Sequence, residues 1–147
     1  MYTFREQIQI NAKAERVWEI LADIGGIARW NPGVQKSWVT SKTSEGLGAS
    51  RRCELDGKNY LLEDVIEWNP PQSLTMRITE TNMPFKRADI HFALEERGQL
   101  TVVTVSPEYE LKFRLLGSVL DSLFVRKTYA KGMRALLAGL KRQVEQP

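Results

Sequence analysis

FRLLGSVLDSLFVRKTYAKGMRALLAGLKRQV, residues Phe113 to Val144, is the stretch around which the rest of the chain must arrange itself. It has no proline, and before Gly139 its only glycines are Gly117 and Gly132. From Tyr129 onward, Tyr129, Met133, Leu136, Leu137, Leu140 and Val144 recur at i, i+3/i+4 and i+7, the spacing of a helix with one buried stripe. A helix of on the order of eight turns cannot bury such a stripe alone and needs a broad apolar partner surface. Projected at about 100° per residue, Lys127, Lys131, Arg134, Lys141 and Arg142 fall in a separate sector. Leu116, Val119, Leu120 and Leu123 point toward that basic sector rather than the later stripe. A straight helix would leave these residues in water, at roughly 1.5–3 kcal/mol each relative to burial. The pattern therefore predicts a bend near Phe124 to Thr128, or a second packing surface for Phe113 to Leu123.

The chain before this helix reads mostly as strands. Thr3 to Asn11 alternates with Phe4, Ile8 and Ile10 on one face, which predicts a first strand. Asn11 is placed to cap a helix carrying Ala14, Val17, Trp18 and Leu21. Gly25-Gly26 ends it, and a short helical turn from Ile27 to Trp30 closes at Asn31-Pro32. Strands are then expected at Val34–Thr43, Ala49–Leu55, Lys58–Trp68, Ser73–Glu80, Phe85–Glu96 and Leu100–Leu111. Turn signals separate them: Glu45-Gly46-Leu47-Gly48, Asp56-Gly57, Asn69-Pro70-Pro71, Met83-Pro84 and Arg97-Gly98-Gln99. Asp56-Gly57 is the strongest hairpin signal of the set. Consecutive hairpins build an antiparallel sheet. The expected class is α+β: a curved antiparallel sheet of about seven strands around one long C-terminal helix, with two short helices after the first strand. Residues 1–147 read as one domain. A sheet closing on a helix leaves an internal space, and such spaces take small molecules.

Composition narrows the function. The 147 residues are 42% hydrophobic and 27% charged, ordinary for a globular chain. With Cys53 as the sole cysteine there is no intramolecular disulfide, and with His91 as the sole histidine there is no converging set of metal ligands. No metal and no cofactor are expected. The start, MYTFREQIQI, carries no apolar signal core, so a cytoplasmic location is expected. Between Lys112 and Arg142 there are eight Lys/Arg and one acid, Asp121, leaving 13 basic and 17 acidic residues elsewhere. A basic helix on an acidic body complements it electrostatically. It also suits transient contact with an anionic membrane surface. A homodimer is a further expectation, and nucleic acid is not an expected partner.

The order of elements resembles the helix-grip fold of the START and pollen-allergen-like (SRPBCC) superfamily. The residues that carry the likeness are Glu15-Arg-Val-Trp-Glu-Ile-Leu-Ala-Asp23 followed by Trp30-Asn-Pro32. Gly46-Leu-Gly-Ala-Ser-Arg-Arg52, Asp56-Gly57, Glu67-Trp-Asn-Pro-Pro71 and Tyr129-Ala-Lys-Gly-Met-Arg-Ala-Leu-Leu-Ala-Gly-Leu140 resemble its polyketide cyclase/dehydrase-like branch. The resemblance spans essentially the whole chain. It implies a cavity for a hydrophobic, lipid-like or polyketide-like small molecule, bound or transported. The alternative is an aromatase/cyclase or dehydrase acting by acid/base catalysis in the same cavity.

Candidate site residues follow from the strand faces. Met76 and Ile78, Phe92, and Met133 of the last helix would line the cavity, and Trp30 would close one end. The segment Tyr60 to Trp68 mixes apolar and acidic residues on both faces, so at least one carboxylate points inward whichever face is inner. Leu62 and Asp64 stand on one face and are expected as ligand-binding residues, with Glu63 on the other. A buried carboxylate needs a partner, and Arg51 on the preceding strand would pair with Glu63 or Asp64. Such a pair, together with Tyr109, would supply polar anchors for a ligand. No catalytic residue is assigned.

Overall fold

The computed structural model describes residues 1–112 and 118–146, with residues 118–121 as backbone only. The strands are β1 Tyr2–Thr3, β2 Glu6–Ile10, β3 Lys36–Val39, β4 Ser50–Glu54, β5 Tyr60–Asn69, β6 Ser73–Thr81, β7 Phe85–Arg97 and β8 Leu100–Leu111. Helix α1, Ala14–Leu21, and a 3-10 turn, Ile24–Arg29, follow β2, and α2, Ser118–Glu145, closes the chain. One antiparallel sheet runs in the order β1-β8-β7-β6-β5-β4-β3, with β2 also on β8. This is the open sheet and long C-terminal helix of the helix-grip arrangement.

The first strand is expected as one piece and is found as two. Phe4 lies where β8 presents Pro107, whose carbonyl accepts the Phe4 N–H at 3.4 Å. Pro107 has no N–H to return, so the ladder lapses there. The predicted Asn11 cap is also replaced. Lys13 occupies the cap position without a side-chain bond, and the free Ala14 N–H donates to Glu96 Oε1 of β7 at 2.9 Å. Asn11 instead gives its backbone N–H to Glu145 Oε2 at 2.8 Å.

Alternation along the strands sets the core. Val65, Leu74, Met76, Ile90, Phe92, Leu94, Val103 and Val105 face α2. They meet Met133, Leu136, Leu137, Leu140 and Val144, each 8% exposed or less. The stripe read from sequence is therefore the surface that the sheet covers. A register shift between Val65 and Glu67 breaks the alternation of β5. It leaves Ile66 exposed and brings Trp68 opposite Leu74, where its ring meets Trp18 of α1 edge-on at 5.1 Å. A bulge of this kind moves every later side chain to the other face.

Helical structure in α2 continues through Phe124 to Thr128, so any bend there leaves the helix unbroken, and the alternative, a second packing surface for Phe113 to Leu123, falls largely outside the described residues. The cost remains: Leu123 is 50% and Phe124 71% exposed. Leu116 and the side chains of Val119 and Leu120 lie outside the described residues. The C-terminal half of α2, by contrast, is tightly seated. A methyl group added at Gly139 would fall on the Trp30 carbonyl oxygen, so the two backbones touch and no larger residue fits. At Gly132 nothing stands in the way.

Gly139→Ala should lower stability by about 1–3 kcal/mol through overpacking. Gly132→Ala should raise it by roughly 0.5–1 kcal/mol through helix propensity. Urea denaturation of the two variants reads opposite signs. Glu145 is held below the usual carboxylate range by the Asn11 N–H and then by Lys141. Its folded value lies below its unfolded one, so its stabilisation is full above roughly pH 4.3 and fades as pH falls through the folded value. The stability gap between the native chain and Glu145→Gln should therefore close on acidification, as followed by denaturation at a series of pH values.

Candidate functional site

The Asp56-Gly57 turn places Gly57 at φ +66°, a conformation that favours glycine. The hairpin it closes pairs Arg51 with Glu63 and Cys53 with Leu61. Arg51 Nε donates to Glu63 Oε1 at 2.9 Å, and Nη1 donates to the Ile24 carbonyl at 3.1 Å. The side chains are 7% and 3% exposed, so this is a buried ion pair beneath the 3-10 turn. Burial alone would depress the Arg51 pKa. The Glu63 carboxylate and, less strongly, Cys53 together more than offset this, and the net shift is upward. Cys53 is pushed up to about 12 by burial, with Arg51 partly opposing. Its thiol stays protonated and is no nucleophile.

Further along the same face is an aromatic box. Tyr109 of β8 lies opposite Ala88, whose small side chain leaves room for the ring. Tyr109 meets Tyr129 at 5.3 Å, Tyr2 at 5.4 Å, Phe85 at 5.7 Å and Phe4 at 6.4 Å between ring centroids. Tyr129, from the first turn of the buried stripe, also meets Phe4 and Phe85 edge-on. The two tyrosine hydroxyls are buried and have no hydrogen-bond partner among the described residues, and the same holds for the indole N–H of Trp30. Burial raises the pKa of both tyrosines, and Glu63 adds to the rise at Tyr129. Both are therefore neutral donors at physiological pH. An unpaired buried donor costs about 1–3 kcal/mol, so three such groups are an expense that packing does not explain.

Of the expected site residues, Met76, Phe92, Tyr109 and Met133 are buried on the inner side. Ile78 is half-buried opposite Glu63. Trp30 is buried at the turn that abuts Gly139. The Arg51–Glu63 pair is the first of the two alternatives for Arg51. Leu62 and Asp64 require correction. They flank the inward Glu63, so the two-residue period turns both outward. Leu62 pairs with Arg52, and Asp64 accepts the Ser50 hydroxyl at 2.7 Å.

Tyr129, Phe4 and Phe85 were not among the expected site residues. Tyr129 carried one signal, a hydroxyl on an otherwise aliphatic helical stripe. His91 takes the outer face, where its Nδ1 lies 2.7 Å from Thr75 Oγ1 and 3.1 Å from Glu67 Oε1. The described residues also outline an open cleft of about 350 Å³ outside the last turns of α2, lined by Trp30, Asn31, Pro32, Gly139, Arg142 and Gln146. It is separate from the space expected between sheet and helix. Among the described residues, no three His, Cys, Asp or Glu side chains converge as metal ligands. No helix among them is long and apolar enough to cross a membrane.

Residues 1–145 match the sequence profile of a family described as polyketide cyclase / dehydrase and lipid transport. An uncharacterized protein of Mycobacterium tuberculosis is 28% identical over 145 residues, covering 98% of this chain and 85% of that one. A START superfamily protein from Mycobacterium smegmatis superposes with a TM-score of 0.83 at 18% identity, covering 99% of each chain. The Zhui aromatase/cyclase from Streptomyces sp. R1128 superposes with a TM-score of 0.85 at 17% identity, covering 98% of this chain and 93% of that one. At these identities the two structures establish the fold.

Removing one partner of the buried ion pair, as in Glu63→Gln, should cost roughly 3–5 kcal/mol by stranding the guanidinium. Replacing both, Arg51→Met with Glu63→Leu, should recover most of that loss. Chemical denaturation of the single and double variants gives both values.

Proposed function

The chain belongs to the polyketide cyclase / dehydrase and lipid transport family, and from that premise we propose that it binds or carries an amphipathic small molecule between the sheet and α2. The observation that supports this reading is the set of buried donors without acceptors: the hydroxyls of Tyr109 and Tyr129 and the indole N–H of Trp30. A ligand with an apolar body and acceptor oxygens satisfies both halves of that interior. Its body would lie against Met76, Ile78, Phe92 and Met133. Its carbonyl or hydroxyl oxygens would accept from the tyrosines. The inward ionic groups, Arg51 and Glu63, neutralise one another and carry no net charge to a neutral ligand.

Binding fits this interior better than catalysis. General acid/base chemistry works best with a group that titrates near the operating pH. The inward candidates are the Glu63 carboxylate, already taken up in its pair with Arg51, an arginine and two tyrosines with raised pKa, and a thiol at about 12. The cyclase reading keeps one feature in its favour. Two adjacent neutral hydroxyl donors can polarise the carbonyl of a poly-ketone chain.

Tyr129→Phe removes a hydroxyl with no protein partner. Stability should stay level or rise slightly, while ligand affinity should fall about tenfold for each 1.4 kcal/mol of lost hydrogen bonding. Native mass spectrometry of the purified chain should show a non-covalent adduct that Tyr129→Phe retains less well. Titration with anilinonaphthalene sulfonate gives the affinity ratio. Equal affinity in both proteins, with no adduct in either, overturns the assignment.

A further inference from the structure

The cations of α2 differ in their partners. In the C-terminal half, Arg134 pairs with Glu6 at 3.3 Å, and Lys141 pairs with Glu145 and donates to the Gln9 carbonyl, both at 2.7 Å. The body of the protein holds these two through Glu6 and the Gln9 carbonyl, while Lys131 and Arg142 are exposed and have no ion pair among the described residues. In the N-terminal half, Arg126 and Lys127 are exposed, and no ion pair involves them among the described residues. They follow Leu123 and Phe124, the large apolar residues of the helix that stand exposed among the described residues.

Other elements bring similar chemistry to the same end of the molecule. Tyr129, three residues after Arg126, meets Phe4, Phe85 and Tyr109 ring to ring, which places this part of α2 beside the aromatic box. Tyr2, stacked on Tyr109, is 43% exposed, and Met1 is 60% exposed. Lys86 follows Phe85 of the box, and the backbone N–H of Lys112 donates to Pro84 at 2.9 Å. Both lysines are exposed and without an ion pair among the described residues. The local acids are partly engaged: Asp89 holds Arg77 and Arg87, and Glu110 lies opposite Arg87.

We propose that this end of the molecule docks on an anionic lipid bilayer. Phe124 and Leu123 enter the boundary between headgroups and acyl chains, and Lys86, Lys112, Arg126 and Lys127 contact the headgroups. Apolar side chains beside basic ones on one helix are what an interfacial helix requires. Each cation near an anionic surface adds roughly fivefold to partitioning. A second copy of the chain is a poorer occupant, because a twofold contact would set these unpaired cations against their own kind. The proposal extends the ligand-binding reading, since it places the membrane beside the tyrosine box, but its test does not depend on a ligand.

The full chain is sedimented with vesicles of phosphatidylcholine alone and of phosphatidylcholine doped with phosphatidylglycerol. Binding is expected to the doped vesicles and to weaken as salt rises. Leu123→Asp with Phe124→Asp should lower partitioning at least tenfold, and Lys112→Glu with Lys127→Glu should abolish the preference for phosphatidylglycerol. All four positions are exposed, and circular dichroism confirms that the variants fold. Equal partitioning of the native chain on both vesicle types overturns the proposal, as does partitioning unchanged by the aspartates. A dimer in light scattering that the aspartates dissociate also overturns it, by giving the face to a second copy. Anilinonaphthalene sulfonate titration without vesicles separates the two readings. Vesicle binding lost with dye affinity intact confirms the docking surface, and a native chain that binds dye but no vesicle overturns the docking surface alone.

Discussion

The apolar stripe of α2 is the constraint on which the other elements depend. Met133, Leu136, Leu137, Leu140 and Val144 can leave water only if something wide enough lies over them, and the sheet is that cover. Helix α1 and the 3-10 turn close the gap at one end, bringing Val17, Leu21, Ile24 and Ile27 into the same core. The contact is closest at Gly139, where α2 rests on the backbone of Trp30. Hydrophobic burial supplies most of the driving force, and the absence of a side chain at one position sets how near the surfaces come.

Within that core the polar groups follow two rules. Arg51 donates both to Glu63 and to the Ile24 carbonyl. Such a pair ties β4, β5 and the 3-10 turn together but leaves little charge to act on a ligand. Tyr109, Tyr129 and Trp30 are the opposite case, with good packing and unused donors. Low dielectric strengthens a hydrogen bond and equally raises the cost of leaving one unmade. The first set is structural in effect, and the second gives the interior its capacity for recognition.

Much of this was legible in the residues. The spacing from Tyr129 to Val144 marks the buried face of α2, and Asp56-Gly57 sets the register that joins Arg51 to Glu63. Leu62 and Asp64 were misplaced because a strand with acids on both faces does not declare which face is inner. The contact with Arg51 decides that, and it is a tertiary fact. Trp68 was hidden by the bulge at Val65–Glu67, which period-two reasoning cannot detect. The aromatic box was missed for a related reason. Tyr2, Phe4, Phe85, Tyr109 and Tyr129 come from β1, the segment after it, β7, β8 and α2, and only the sheet order brings them together.

The attachments of α2 have a mechanical consequence. Gly139 against Trp30, Lys141 on Gln9, Glu145 on Asn11 and Arg134 on Glu6 all belong to its second half. Among the described residues, the helix is thus clamped at its C-terminal end, and the Tyr129 ring is a contact toward the other. From Gly139 to Phe124 is about 22 Å at 1.5 Å per residue. A rotation of about 10° at the clamp would carry the tip by about 4 Å, on the same geometry. Such a displacement exceeds the radius of a water molecule several-fold while barely disturbing the clamp. A tilt at the clamp therefore displaces the tyrosine end furthest, by leverage rather than by unfolding.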